Sequence, residues 1–328
     1  MNAGKKYTFR EFVYWTRRHI YKLFFLALIP TVLYHLGLTF LSITWVPVAL
    51  LGTAVSFIVG FKNNTSYSRA WEARTIYGSI VNNSRSFAVM IRDFLKDEAE
   101  TKAIFYRHFA WLTALRFQLR EPRPWENMTN PENVEYSSHY SLPERLTTME
   151  DELKKYLPQE ELHYILAKKN KATQIMALQS RHVNNLRLPE FQLLQLQTAI
   201  TAFYDSQGRA ERIKNFPYPR NYSSIASYLL YFFVLLVPFG LLNEFEKLGD
   251  GTLIEGYSIW LNVPFALLLS WVFVALDAVG ESSVNPFEGN ANDVPITNIS
   301  RTIEIDMRDM LDEADLPSPT TAINNILM

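Results

Sequence analysis

Between Leu23 and Phe61 the chain carries no charged side chain, and only His35 is even potentially charged. About 20 helical residues cross the hydrocarbon core of a bilayer, so this stretch is too long for one span. Gly37-Leu38-Thr39 and Trp45-Val46-Pro47 bracket a tight uncharged turn within it. The pattern predicts two membrane helices, 23–36 with its flanks and 47–61. His35 stands beside the turn with no second His or carboxylate at metal spacing, so it reads as a satisfied polar residue. Two more apolar runs, 225–242 and 257–275, each enclose a proline, Pro238 and Pro264, and predict two further spans. The mean hydropathy of −0.05 conceals these runs because a densely charged middle, residues 62–220, is averaged with them.

Charge orients the spans. Residues 1–22 carry Lys5, Lys6, Arg10, Arg17, Arg18 and Lys22 against Glu11 alone, interleaved with Phe9, Phe12, Val13, Tyr14 and Trp15. That pattern predicts an interfacial amphipathic helix. A cleaved signal peptide is disfavoured, because the apolar run that follows is too long and ends in no small-residue cleavage site. The link between the third and fourth runs holds Glu244, Glu246, Asp250 and Glu255 but only Lys247. Basic segments stay on the cytoplasmic side, which predicts four spans at 23–61 and 221–277 with both termini inside. The sequons at Asn63, Asn64, Asn82, Asn127, Asn221 and Asn298 then fall at or inside the cytoplasmic boundary, so they predict no glycosylation.

The middle is helical in pattern. Ile104, His108, Trp111, Leu112, Leu115 and Leu119 recur at three and four, and proline-rich breaks fall at 121–125, 127–140, 157–158, 188–189 and 216–219. Helices are expected near 65–97, 98–120, 143–156, 159–185 and 189–214, the first running on from the second span. After 278 a cytoplasmic C-terminal segment is expected, with a loop from Asn285-Pro286-Phe287 to Pro295 and a short helix over 299–311.

No catalytic constellation stands out. The six histidines are scattered, and no HExxH, GxSxG, kinase or phosphate-loop motif occurs. Asp97-Glu98 and Glu160-Glu161 read as solvated helix faces rather than acid–base pairs. The absence of cysteine excludes disulfides and thiolate metal sites, and no cofactor is implied. A net charge of −1 argues neither for a nucleic-acid partner nor for a strongly anionic one, and no nucleic acid is expected.

Two stripes run along the second span at four-residue spacing. Gly52, Ser56 and Gly60 form a small-residue ridge of the kind that lets membrane helices pack closely, and Thr53, Phe57 and Phe61 form its neighbour. The phenylalanines would face either the axis of a ring of identical helices or lipid. Just beyond them Asn63, Asn64, Tyr67, Arg69, Trp71, Glu72 and Arg74 form either a membrane-exit girdle or a wetted vestibule.

The segment GFKNNTSYSRAWEARTIYGSIVNNSRSF closely resembles the signature of the bestrophin family in its bacterial branch, and ERIKNFPYPRNY and SSVNPFEGNANDVPITNISRTIEIDM resemble that branch too. The resemblance extends over nearly the whole chain, 1–328, as a single bestrophin-like unit. It implies an all-α, four-transmembrane-helix subunit with a helical cytoplasmic domain, assembled as a bestrophin-like homopentamer around one axial pore in the inner membrane. Matching Gly60-Phe61 and Arg69 to the family pattern puts the hydrophobic neck at Thr53, Phe57 and Phe61, although Thr53 departs from a purely apolar neck. Lys62, Asn63, Asn64, Arg69, Trp71, Glu72 and Arg74 would line the vestibule. The family's second constriction follows a proline that matches Pro189 here, with Glu190 or Phe191 at the narrow point. Animal members hold calcium with an acidic cluster after the NPF motif. Glu288, Gly289, Asn290, Ala291, Asn292 and Asp293 stand there in this chain, far less acidic, so no metal is expected.

The expected function is a channel for chloride or other small anions. A monovalent-cation (sodium) channel of the same fold is the alternative, and a membrane-anchored sensor or scaffold is an alternative of another class. Lys62 near the neck favours anions, whereas five copies of Glu190 would favour cations.

Overall fold

The computed structural model describes residues 1–251 and 253–328. Among these there is no β-strand, only isolated bridges such as Asn2 to Ile326, and the elements are helices. Two compact units form: residues 1–5, 69–217 and 285–328 make one, and residues 6–68 and 218–284 the other.

The second unit holds α1 (Phe9–His35), the first half of α2 (Trp45–Phe94), α10 (Arg220–Gly249) and α11 (Asn262–Glu281). Of the described helices, those at Thr39–Phe94, Arg220–Gly249 and Ser258–Glu281 are long and apolar enough to cross a membrane. α1 is not among them because Arg10, Arg17, Arg18 and Lys22 occupy its first half. The expected amphipathic segment at 1–22 is therefore no separate helix. Thr8 and Glu11 form a capping box, with the Thr8 amide donating to Glu11 and the Glu11 amide to Thr8 Oγ1, and the helix runs unbroken into the apolar stretch. Leu23, Ala27, Val48, Val55, Val59, Phe233, Val237 and Ala266 make the core of this unit. One buried polar clasp crosses it: Asn262 Nδ2 donates to Thr31 Oγ1 at 2.9 Å and to the Pro238 carbonyl at 3.0 Å. An amide left without partners in an apolar setting is costly, and these two acceptors satisfy the Asn262 Nδ2 group.

The first unit is built around α3 (Glu98–Arg120). From Ile104 onward it is enclosed on all sides, with Ile104, Phe105, Trp111, Ala114 and Leu115 shielded completely. A helix buried all round must pair its polar groups. Arg107 forks onto Glu161, Arg116 meets Glu144 and Glu152, and Trp111 donates to Gln207. Around α3 stand the second half of α2, the short helices α4 (Pro131–Ser137), α5 (Pro143–Leu146), α6 (Met149–Leu153) and α7 (Gln159–Leu166), then α8 (Lys171–Asn184), α9 (Glu190–Asn215) and α12 (Ile296–Asp309).

The expected break at 127–140 thus contains a helix, and two expected helices are each divided. Thr148 caps α6 through Asp151 N, splitting 143–156, and Asn170 caps α8 through Thr173 N, splitting 159–185. An internal cap stops one helix and starts another. The final helix begins at Ile296, three residues earlier than the pattern suggests.

Candidate functional site

The faces of α2 are set by what they bury. Val48, Gly52, Val55, Val59, Lys62 and Ser66 are buried, at alternating steps of four and three that hold one side of the helix. Thr53, Phe57 and Phe61 lie away from that side, and the rings are 64 % and 69 % exposed. Thr53 satisfies its hydroxyl by donating to the Ala49 carbonyl at 3.1 Å, so the stripe presents two rings and one methyl group with no open donor.

The small stripe does not act as one ridge. Gly52 packs inside its own subunit, where an added Cβ would lie 2.7 Å from the Phe233 ring of α10. Gly60 has nothing within 4 Å, and Ser56 is exposed with its hydroxyl on the Gly52 carbonyl. Steps of four residues precess by about 40° each, so a strict four-residue stripe drifts out of the buried face within two turns. Of the three small residues, Gly52 alone packs within the subunit.

Lys62 occupies the buried face and is 2 % exposed. Its Nζ lies 2.9 Å from Asp277 Oδ1 and 2.5 Å from Glu281 Oε2, two acids one turn apart on α11. Its charge is paired within the subunit, which corrects the expectation that Lys62 offers a positive charge to the neck. Asn63 follows the same course, donating from Nδ2 to the Leu276 carbonyl at 3.0 Å. Gly280 makes room for it, since a Cβ there would overlap Asn63 Oδ1. Asn64 is exposed.

The remaining signature residues divide in the same manner. Arg69 donates to the Ile213 carbonyl at 2.9 Å, in the last turn of α9, and Glu72 pairs with Arg212 of that turn at 2.5 Å. The Arg69 guanidinium satisfies a carbonyl that the helix end leaves open, and Arg212 places a cation in the last turn, where the helix dipole favours it. These two residues tie α2 to α9 instead of facing solvent freely, whereas Trp71 and Arg74 are exposed. At the other end of α9, Pro189 is the extended N-cap and Glu190 supplies the only acid of the first turn. Glu190 and Phe191 are both exposed, Phe191 at 81 %.

The loop after α11 buries its acids. Asp293 Oδ2 accepts from the Gly289 and Asn290 amides at 2.7 and 3.1 Å and from Arg120 at 3.3 Å. Glu288 Oε2 accepts from the Asn127 amide at 2.9 Å and from Asn285 at 3.2 Å. Burial pushes Glu288 up to about 8, with the Asp293 charge adding to it, and pushes Asp293 up to about 6 against the pull of Arg120. Each of these two acids also keeps one buried oxygen, Glu288 Oε1 and Asp293 Oδ1, without a hydrogen-bond partner. Among the described residues no group of three or more His, Asp or Glu could hold a metal ion.

Sequence reasoning missed the partners of Lys62. The signal available was Asp277 and Glu281 at i and i+4, closing an otherwise uncharged helix.

Residues 16–309 match the family described as Bacterial/Fungal Bestrophin protein. The chain is 28 % identical to the voltage-dependent anion channel-forming protein YneE of Escherichia coli O157:H7, over 87 % of this chain and 81 % of that one. It is 27 % identical to the voltage-dependent anion channel-forming protein alr2987 of Nostoc, over 94 % of both chains. Its fold is similar to the crystal structure of a bacterial bestrophin homolog from Klebsiella pneumoniae, with a TM-score of 0.74, 23 % identity, and coverage of 90 % of this chain and 98 % of that one. The chain belongs to the bestrophin family, in its bacterial and fungal branch.

Proposed function

We propose that this chain is the subunit of a homopentameric channel in the plasma (inner) membrane, with four spans and both termini cytoplasmic, passing chloride and other small anions. The observation that carries the reading is the exposed stripe of Thr53, Phe57 and Phe61, opposite a face of α2 that the subunit buries for itself. Apolar rings turned outward from a membrane-spanning helix meet lipid or a neighbouring chain, and around a fivefold axis they would form a neck that gates by wetting. Relatives named as anion channel-forming proteins support the choice of ion. Asn64, Trp71 and Arg74 would line the vestibule beyond the neck, and Glu190 and Phe191 the second constriction.

A second reading, a monovalent-cation channel, is favoured by two observations. Lys62 is held between two carboxylates inside the subunit, and Glu190 is exposed at a helix start. Currents from the purified protein in vesicles test both readings. A bi-ionic reversal potential near the chloride equilibrium value supports the anion channel, one near the cation value supports the alternative, and no current refutes both. Phe57→Ala with Phe61→Ala is expected to raise conductance or open probability; unchanged currents would remove the rings from the neck.

A further inference from the structure

We infer that Lys62 is a positioning residue: its ion pairs with Asp277 and Glu281 hold the azimuth of α2 and so keep Phe61 aimed out of the subunit. The inference rests on the neck reading for its consequence, but not for its geometry.

Three observations carry it. First, successive residues of a helix lie about 100° apart, so Lys62 is the residue beside Phe61 on the turn toward the buried face. Anchoring Nζ on one side leaves the Phe61 ring no choice of side. Second, the other buried members of this face, Val48, Gly52, Val55, Val59 and Ser66, are small or aliphatic, and with the Ser66 hydroxyl making no hydrogen bond they hold α2 only by shape. Packing of that kind is non-directional, whereas a buried ammonium between two carboxylates has a defined geometry and is costly to leave unpaired. Third, the adjoining Asn63 enforces the same register through the Leu276 carbonyl and the space left at Gly280. Lys62 to Asp277 at 2.9 Å, Lys62 to Glu281 at 2.5 Å and Asn63 to Leu276 at 3.0 Å make a short pin directly below the phenylalanines.

Here the reading of Lys62 as a selectivity charge and the reading as a pin diverge. A selectivity charge acts on the ion, a pin acts on the ring. The absence of cysteine from the chain makes the ring position measurable, because a single thiol introduced there reports its own access to water without background. The experiment places Phe61→Cys in the full-length protein and measures the rate at which a charged methanethiosulfonate reagent modifies it. The rate is taken in the native background and in Lys62→Gln/Asp277→Asn/Glu281→Gln, which removes all three charges and leaves none buried alone. The pin predicts a several-fold lower rate in the neutral background, and for the same neutral triad with Phe61 restored, a changed open probability at an unmoved reversal potential. Equal modification rates, or a reversal potential displaced toward cations, would overturn it. Should the neutral triad fail to assemble, Lys62→Glu with Glu281→Lys and Asp277→Asn restores one ion pair with its sign exchanged and leaves no second carboxylate beside it. The pin then predicts a native modification rate for the Phe61→Cys thiol and a native reversal potential, and a shifted potential would overturn it. A protein that carries no current still yields the modification rates, so failure of the channel reading and failure of the pin are separately visible.

Discussion

Two carboxylates, Glu288 and Asp293, stand out of water in the loop after α11, and each keeps one oxygen without a partner. Their surroundings hold one cation in direct contact, Arg120, while Glu126 is engaged with Lys214. The consequence is a pH dependence with a definite sign. Glu288 is raised from 4.5 to about 8 by burial first and by the Asp293 charge second, so the folded first unit binds a proton that the unfolded chain releases. Its contribution to stability is full below 4.5 and is lost as pH rises through about 8. Thermal midpoints are therefore expected to fall on the alkaline side in the native protein. Glu288→Gln, which keeps the shape of the neutral acid, is expected to flatten that decline; an unaltered alkaline slope would assign it to another group.

His108 behaves in the opposite manner. Burial among Phe87, Trp111 and Phe203 drives it down to about 3, so it stays neutral and hydrogen-bonded to Ser84 throughout.

At the scale of elements, α9 carries the charge test. Glu190 follows Pro189 in the first turn, where a carboxylate is favoured by the helix dipole by about 0.3–1 kcal/mol. An exposed helix-end charge needs no further role. Five copies around a narrow opening would in addition focus negative potential on the axis. Glu190→Gln removes the charge and keeps the shape. A reversal potential that moves toward anions identifies the ring, and an unmoved one leaves Glu190 as a dipole charge alone.

The legibility of the elements in the sequence follows from whether their ends are local. α3 is read at its observed bounds because Asp97 accepts from the Ala99 and Glu100 amides at one end and Glu121-Pro122 closes the other. Thr148 and Asn170 are equally local signals, but they lie inside continuous helix formers and only their cap hydrogen bonds reveal the breaks. The Phe57–Phe61 stripe is legible as a period, but the direction it faces is not. Direction depends on Phe233, Asp277 and Glu281, far along the chain, and no local pattern encodes such a meeting.

For the whole molecule, the two glycines of the α2 stripe separate folding from assembly. Gly52 meets Phe233 within the subunit, so Gly52→Leu is expected to overpack that contact and cost about 1–3 kcal/mol of subunit stability. A Cβ added at Gly60 would meet nothing within 4 Å in the subunit, so a leucine there starts from open space. If the exposed side of α2 is where neighbouring subunits approach, the same leucine keeps two helices apart by the width of its side chain, since small residues allow close contact in a bilayer. Gly60→Leu should then leave the helix content and thermal midpoint of the subunit near native, while native mass in mild detergent shifts from the pentamer to smaller species. Gly52→Leu should do the reverse, lowering the midpoint before any change in stoichiometry. A Gly60→Leu protein that retains the native mass would turn that side of α2 toward lipid and leave the pentamer without this contact. A wild-type mass of one or two chains would refute the pentamer itself.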